Sequence, residues 1–472
     1  MLILLLAGCT ADKSKEITYN AEKTYHQAEK LFETASIMPD LNDTVTWTNV
    51  KNAYLNSINY CWINLDSLPI DKFPEEHQGL ESVAYLATSR LASIYYAEQK
   101  MDSAIIILQR LLSLTNLTGR ALLSAKTNLA QAYHAAGDWD SGMEIYRSLI
   151  DIFYPPVDNN NAVIAEVITL PIELINIYRK LRLPDEQQAV KSAREYYQRL
   201  IREWPGTSLE KAARRTLARF YSNEKDWDKS IEALSLIKDS TGQTGIPEMM
   251  KIAEIYSGGK KDYKSALEIY SNLIKRVPND TAMLVTIYTD LAIASFNDGQ
   301  YKKCRETMGF IKDNYYGYFM SNPVPQSFVA RAFEKEDNWE RAEEEYLWLI
   351  SNFPESKEAF DTYLTIAGHY DKIGNEKLKE NWYRRAEEFY DRMQSQHSGT
   401  MVEASAISYN AEIARLEKDW SRAAQLMEEL YRRFPDQDVG RRGLGSAVRL
   451  YRDSLNNPAK ADSLEALINP GT

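Results

Sequence analysis

The sequence predicts an all-α protein, a solenoid of about eleven helical hairpins. Three observations lead there. One spacing of small and aromatic residues recurs along the chain. Prolines fall at a fixed distance after it. No stretch alternates apolar and polar residues for long enough to argue for a sheet.

The spacing is plainest between Pro323 and Ser356. Ala330 and Phe333 share one helix face, and Asp337-Asn338 break that helix. Trp339, Ala342 and Tyr346 then mark the buried stripe of a second helix, which stops at Phe353-Pro354. From the first Ala the offsets are +3, +9, +12 and +16. The same offsets hold for Ala92, Tyr95, Met101, Ala104 and Leu108, and for Ala130, Tyr133, Trp139, Gly142 and Tyr146. They return at Ala218, Tyr221, Trp227, Ser230 and Leu234, at Ala292, Ser295, Tyr301, Cys304 and Met308, and at Ala411, Ala414, Trp420, Ala423 and Met427. Two helices approach to about 8–10 Å only where small side chains cross. Hence the small residues at 0 and +12, and an aromatic at +9 to fill the hairpin end. No hairpin covers its own apolar face, so each needs a neighbour. Ala342→Phe is expected to destabilise by roughly 1–3 kcal/mol through overpacking.

These offsets resemble the tetratricopeptide repeat (TPR). Pro205, Pro278, Pro354 and Pro435 each follow a small residue (Ala193, Ala266, Ala342, Ala423) by twelve, which strengthens the likeness. The resemblance implies a TPR-type α-solenoid superhelix with a concave groove lined by the first helices, and it leaves the partner open.

The chain has 472 residues, 44% apolar and 26% charged, enough for a large core. Its net charge of −11 argues against nucleic acid, which needs a basic footprint. In chain order, residues 1–16 read as a signal remnant and tether. Residues 1–9, MLILLLAGC, are too short to span a bilayer, which takes about 20 apolar residues. An apolar run, small residues and then Cys read as the end of a secretory signal. Leu6-Ala7-Gly8-Cys9 resembles a bacterial lipobox, which implies lipidation of Cys9 and an envelope location. No Lys or Arg precedes the apolar run, so the true start is expected upstream. By analogy with enteric lipoproteins, Thr10 after the Cys implies the outer membrane, and Thr10–Glu16 reads as a polar tether.

Residues 17–78 are the N-terminal capping helices, about 17–38 and 46–68, closed by a loop at 69–78. The array then runs in two parts, 79–240 and 241–437, with the boundary at the loop 239–246. The fourth and ninth repeats are stretched between their halves, which predicts helices projecting from one edge. The sixth keeps Ala253, Tyr256, Tyr263, Ala266 and Tyr270 with one residue added around Gly258-Gly259. Residues 438–472 form the C-terminal cap. Cys61 and Cys304 are expected as buried thiols, too far apart in a solenoid to pair.

No catalytic, metal or cofactor site is legible. The histidines His26, His77, His134, His369 and His397 show no ligand spacing, and neither HExxH nor CxxC occurs. Gly440-Arg441-Arg442-Gly443-Leu444-Gly445 follows no strand, so it is not a dinucleotide fingerprint; it reads as a flexible helix start, or as a seat for an anion.

By the resemblance, groove positions fall at −3, +1 and +4 from the repeat Ala. That gives Ser89, Ser93 and Tyr96; Thr127, Gln131 and His134; Arg215, Arg219 and Ser222; Ser327, Arg331 and Glu334; Ser408, Glu412 and Arg415. The set is polar with clustered Arg, which suits a peptide or extended chain bearing acidic groups; an ordinary wet surface is the alternative. The leading reading is a non-enzymatic scaffold, lipid-anchored in the envelope, binding other envelope proteins or peptides. The Trp/Phe-Pro helix ends are similar to two families, the TPR lipoprotein of the β-barrel assembly machine and the periplasmic TPR partner of Tol–Pal. The other reading is a SusD-like glycan-binding lipoprotein, with 30 tyrosines and nine tryptophans supplying stacking faces.

Overall fold

A computed structural model describes residues 2–37, 44–156, 165–277 and 279–468, with the backbone alone for residues 2–12, 37, 44, 114 and 468. Among the described residues the chain forms helices in eleven hairpins and no strand; two residues, Lys238 and Thr244, make one isolated bridge. The hairpins gather into two units, Met1–Ile237 and Lys238–Thr472.

The first unit holds five hairpins. They are α1 (Leu2–Ile37) with α2 (Thr44–Leu65), α3 (Pro74–Ala97) with α4 (Met101–Leu114), and α5 (Gly119–Ala135) with α6 (Trp139–Ile152). Then come α7 (Leu170–Leu181) with α8 (Glu186–Glu203), and α9 (Ser208–Asn223) with α10 (Trp227–Ser235). The second unit holds six. Helix α11 (Ile246–Glu254) runs into a π-helical turn (Ile255–Lys260) and pairs with α12 (Tyr263–Arg276). Helix α13 (Thr281–Asn297) pairs with α14 (Tyr301–Asn314), and the short α15 (Tyr316–Phe319) follows. The rest are α16 (Val324–Lys335) with α17 (Trp339–Asn352), α18 (Lys357–Lys372) with α19 (Glu376–Gln396), and α20 (Met401–Leu416) with α21 (Trp420–Arg433). Last, α22 (Asp438–Arg449) passes through a second π turn (Leu450–Ser454) to α23 (Pro458–Ile468). Within each unit a helix packs chiefly on its neighbours in sequence, as in an α-solenoid.

The spacing sets the seam. The first Ala of each copy (Ala92, Ala130, Ala218, Ala292, Ala330, Ala411) is buried, and so are the +12 residues Ala104, Gly142, Ser230, Cys304, Ala342 and Ala423. Ser230 is polar and still fits, because its hydroxyl donates to the Ala218 carbonyl across the crossing at 2.8 Å. The +9 aromatics open the second helices and are half-buried. Leu108, Tyr146, Met308 and Tyr346 at +16 are buried in the core, each stabilising by roughly 1.5–3 kcal/mol. Cys61 and Cys304 are free, buried thiols, and burial pushes each up to about 12.

The turns inside the hairpins share one geometry. The residue before the second helix's N-cap has positive φ: Gln99, Gly137, Lys225, Gly299, Asp337, Gly374 and Lys418 among them. The next N–H reaches back five residues, as Asp138 does to the Tyr133 carbonyl at 2.9 Å and Asn338 to Phe333 at 3.0 Å. This is a Schellman closure, which satisfies the carbonyls left over at a helix end. Asp138, Asp226, Asp262, Asn338, Asn375 and Asp419 then cap the second helix through their side chains.

Several expectations meet a different structure. The stretch read as signal and tether lies within α1, and Ser14 is buried and bonds Glu76 at 3.1 Å. The loop expected at 69–78 ends at Phe73, because Pro74 takes the first helical position, where its missing N–H costs nothing. Pro278, residues 157–164 after the third hairpin, and residues 469–472 of the C-terminal cap lie outside the described residues. The stretched repeats appear as longer second helices: α8 has 18 residues and α19 has 21, against 14 in α6, α12, α17 and α21. The residue added near Gly258-Gly259 widens the end of α11 into a π turn rather than lengthening a loop. Of the glycines at 440–445, Gly440 and Gly443 are packing residues, while Gly445 faces open space. A Cβ on Gly440 would stand 1.9 Å from the Phe434 carbonyl oxygen, and one on Gly443 would stand 3.0 Å from Leu430.

Candidate functional site: the first-helix face of the second unit

Helices α16 and α18 are the first helices of successive hairpins, with Tyr346 of α17 between them. Together they line an open cavity of about 590 Å³. Ser327, Phe328 and Arg331 come from α16; Lys357, Glu358, Asp361 and Thr365 come from α18. The guanidinium of Arg331 is exposed and lies over the rings of Phe296 and Phe328, 4.9 and 4.6 Å from their centroids. Aromatic faces attract a cation without neutralising it, so Arg331 keeps its charge available to an anion. On α18, Lys357 Nζ donates to Asp361 at 2.6 Å, and the Tyr409 hydroxyl also donates to Asp361. Tyr346 is anchored by donating to Glu334 at 2.8 Å.

A second, smaller cavity of about 200 Å³ lies between the first helices α20 and α22. Glu412 and Arg415 form one side and Arg449 and Asp453 the other, with Met427 between. Arg415 donates to Glu412 at 2.9 Å. The π turn at Leu450–Ser454 brings Asp453 to this cavity.

The structure sorts the expected groove residues. Ser327, Arg331, Glu412 and Arg415 line cavities. Tyr96 donates to the Asn128 carbonyl at 2.6 Å and ties α3 to α5; burial pushes its phenol up to about 12. His134 turns into its own hairpin. It stacks on Trp139 with centroids 4.8 Å apart, edges against Tyr146, and its Nε2 is buried with no partner among the described residues. Burial, with Lys180 second, holds its pKa below the usual histidine value. Its place in the groove is therefore corrected to a place in the seam, where Gly142 leaves it room. Glu334 serves as acceptor for Tyr346. Gln131, Arg215 and Arg219 are exposed on α5 and α9 in the first unit.

Sequence reasoning missed Lys357, Glu358, Asp361 and Thr365. Their signal was available: Lys357, Asp361 and Thr365 are spaced four apart, a polar stripe down one face of a first helix. Counted from Ala367, the −3 position is Leu364; Lys357, Glu358 and Asp361 come before it and Thr365 directly after it, so none falls on the offsets used. Among the described residues no group of three or more His, Cys, Asp or Glu could hold a metal ion. Among them, too, no helix is long and apolar enough to cross a membrane.

Residues 125–155 and 249–280 match the model of the tetratricopeptide repeat. These are the third and sixth hairpins. Among solved structures, the chain is similar to a tetratricopeptide repeat protein from Parabacteroides merdae, at 15% identity over 59% of this chain and 98% of that one, with a TM-score of 0.34. It is similar to the C-terminal part of a TPR repeat-containing protein from Cytophaga hutchinsonii, at 14% identity over 57% and 99%, TM-score 0.34. It is also similar to yeast Tom70, at 11% identity over 95% and 96%, TM-score 0.37. No curated protein matches the sequence.

Proposed function

We propose that this chain is a non-enzymatic protein-binding scaffold that holds an extended partner segment on the first-helix face of its second unit. The observation that carries the reading is the cavity between α16 and α18. It is polar, open, and offers Arg331 and Thr365 beside the carboxylates Glu358 and Asp361. Groups of both signs in a shallow trough suit a peptide backbone with charged side chains. Arg331 favours an acidic group on the partner through a charge-assisted hydrogen bond. We further propose a lipid on Cys9 as the tether to the bacterial envelope, anchored in the outer membrane, and other envelope proteins or peptides as partners. The support is Leu6-Ala7-Gly8-Cys9 followed by Thr10.

Affinity capture of the tagged chain from envelopes tests the binding role. Arg331→Glu is expected to lose the captured partner and keep the wild-type melting temperature. Capture unaffected by Arg331→Glu would move the site elsewhere. Fatty-acid labelling tests the anchor, with incorporation expected in wild type and none in Cys9→Ala.

One observation favours the glycan reading as a second. Phe310, Tyr316 and Tyr318 are 39, 58 and 46% exposed around α15, and Gly309 and Gly317 leave open space beside them. Exposed ring faces suit sugar stacking. Enrichment of one outer-membrane transporter in the capture, with glycan binding lost in Tyr316→Ala, would favour that reading over the scaffold.

A further inference from the structure

Helices α1 and α3 start at the same end of the first two hairpins. Ser14 of α1 bonds Glu76 of α3 at 3.1 Å, and one turn further on a Cβ at Gly79 would stand 2.9 Å from Thr18. Contacts that advance together along both helices mean that the two run the same way. Helix α2 runs against them, because Thr24 meets Ser57 while Glu29, further along α1, meets Tyr54. The last turn of α2 therefore lies at that same end. The turn Pro69–Phe73 follows it, with the Lys72 and Phe73 N–H groups donating to the Pro69 carbonyl at 3.0 Å. Cys9 stands five positions before Ser14. That is about 7.5 Å along a helix and at most about 18 Å of straightened chain. Ser14 is buried and held by α3. A lipid on Cys9 thus keeps this end of the two hairpins within that distance of the bilayer.

What this end shows to solvent fits a lipid surface. Ile63 in the last turn of α2 and Ile70 in the turn after it are 76 and 53% exposed. Lys72 and Asp71 are exposed beside Ile70. Apolar side chains enter the boundary between headgroups and acyl chains to a depth of about 5–10 Å, and a lysine beside them reaches lipid phosphates. A soluble partner at this end would have to displace a bilayer that the anchor already holds at contact range.

We propose that the lipid on Cys9 seats the first hairpin directly on the bilayer, with Ile63, Ile70 and Lys72 among the headgroups. The placement rests on the lipidation of Cys9 proposed above. The lipidated full chain tests it in phosphatidylethanolamine–phosphatidylglycerol vesicles that carry a nitroxide on the headgroup. Cys61 and Cys304 are buried, so an added surface thiol takes the fluorophore. One label goes on Ile70→Cys and the other on Asp102→Cys. Asp102 is exposed beyond the far end of α3, whose 24 residues put it about 36 Å away. Quenching is expected at position 70 and not at position 102. Inserting about ten Gly/Ser residues after Thr10 should lower the quenching at position 70 while flotation with the vesicles is kept. Equal quenching at the two positions, no quenching at position 70, or quenching indifferent to the insertion would overturn the placement and leave the anchor standing. A mass showing no lipid on Cys9 would remove the anchor and the placement together.

Discussion

A Cβ added at Gly142 would stand 2.2 Å from His134 Nε2 and 2.9 Å from the Ala130 carbonyl oxygen. Ala occupies the equivalent crossing at Ala104, Ala342 and Ala423, so Gly here answers to His134 in addition to the close Ala130 backbone at the crossing. Gly142→Ala is therefore expected to destabilise by about 1–3 kcal/mol, read from denaturant melts. Adding His134→Ala should recover part of that loss, because contacting sites couple; strictly additive effects would contradict the packing. Asp290 on α13 makes a second case. Burial, and then the charge of Glu254, push its carboxyl up to about 6. A raised acid favours the neutral form in the folded state. The stability it contributes is full below the ordinary value of 3.8 and is lost as pH rises through about 6. Asp290→Asn should therefore raise stability at pH 7.5 by about 1–2 kcal/mol, allowing for solvent screening. Near pH 3.5 the gain should vanish. A benefit that grew on acidification would contradict this assignment. Neither effect was legible in the spacing, because both depend on what faces the residue from a neighbouring helix.

The hairpin turn is the element on which the array depends, and several copies place a residue other than glycine at positive φ. Lys418 has φ 63° and Lys225 has φ 59°. The left-handed conformation costs such a residue about 1–2 kcal/mol, and glycine gives back about 0.5–1 in chain entropy. Lys418→Gly should therefore stabilise by about 0.5–1 kcal/mol in thermal melts, whereas Gly137→Ala should destabilise. No change in either would argue against the Schellman closure. The sixth hairpin offers a further check. Deleting Gly258 restores the regular spacing from Ala253 to Tyr263, and it should convert the π turn to an ordinary helix end. Helical circular dichroism and melting are expected to stay near wild type, while deleting Gly299 from the tight turn of the seventh hairpin should destabilise clearly. The extra residue was visible in the sequence, but its form was not. A bulge and a longer loop have the same length, and hydrogen bonding decides between them. The packing role of Gly440 and Gly443 was hidden for a related reason. Glycine signals freedom and close approach alike, and only the position of Phe434 tells which applies.

At the scale of the whole molecule, eleven hairpins follow from offsets that place small residues at crossings and bulky ones between them. That much was legible because solenoid contacts are local and each hairpin repeats the same problem. The proposed face was legible in part. Offsets from the repeat Ala locate a helix face, and Ser327, Arg331, Glu412 and Arg415 do line cavities there. The offsets do not reveal whether a neighbour already holds a side chain, as with Tyr96, His134 and Glu334. Nor did they reach the stripe Lys357, Asp361 and Thr365, which begins earlier on its helix. The claim that rests on all of this is that a partner lies along the first helices. Site-specific photo-crosslinking in envelopes addresses it, with the reactive residue at Thr365 on α18 or at exposed Glu340 on the second helix α17. A cross-linked partner is expected from Thr365 and absent from Glu340. Equal capture from Glu340, or capture from Glu340 alone, would contradict the first-helix face as the binding surface.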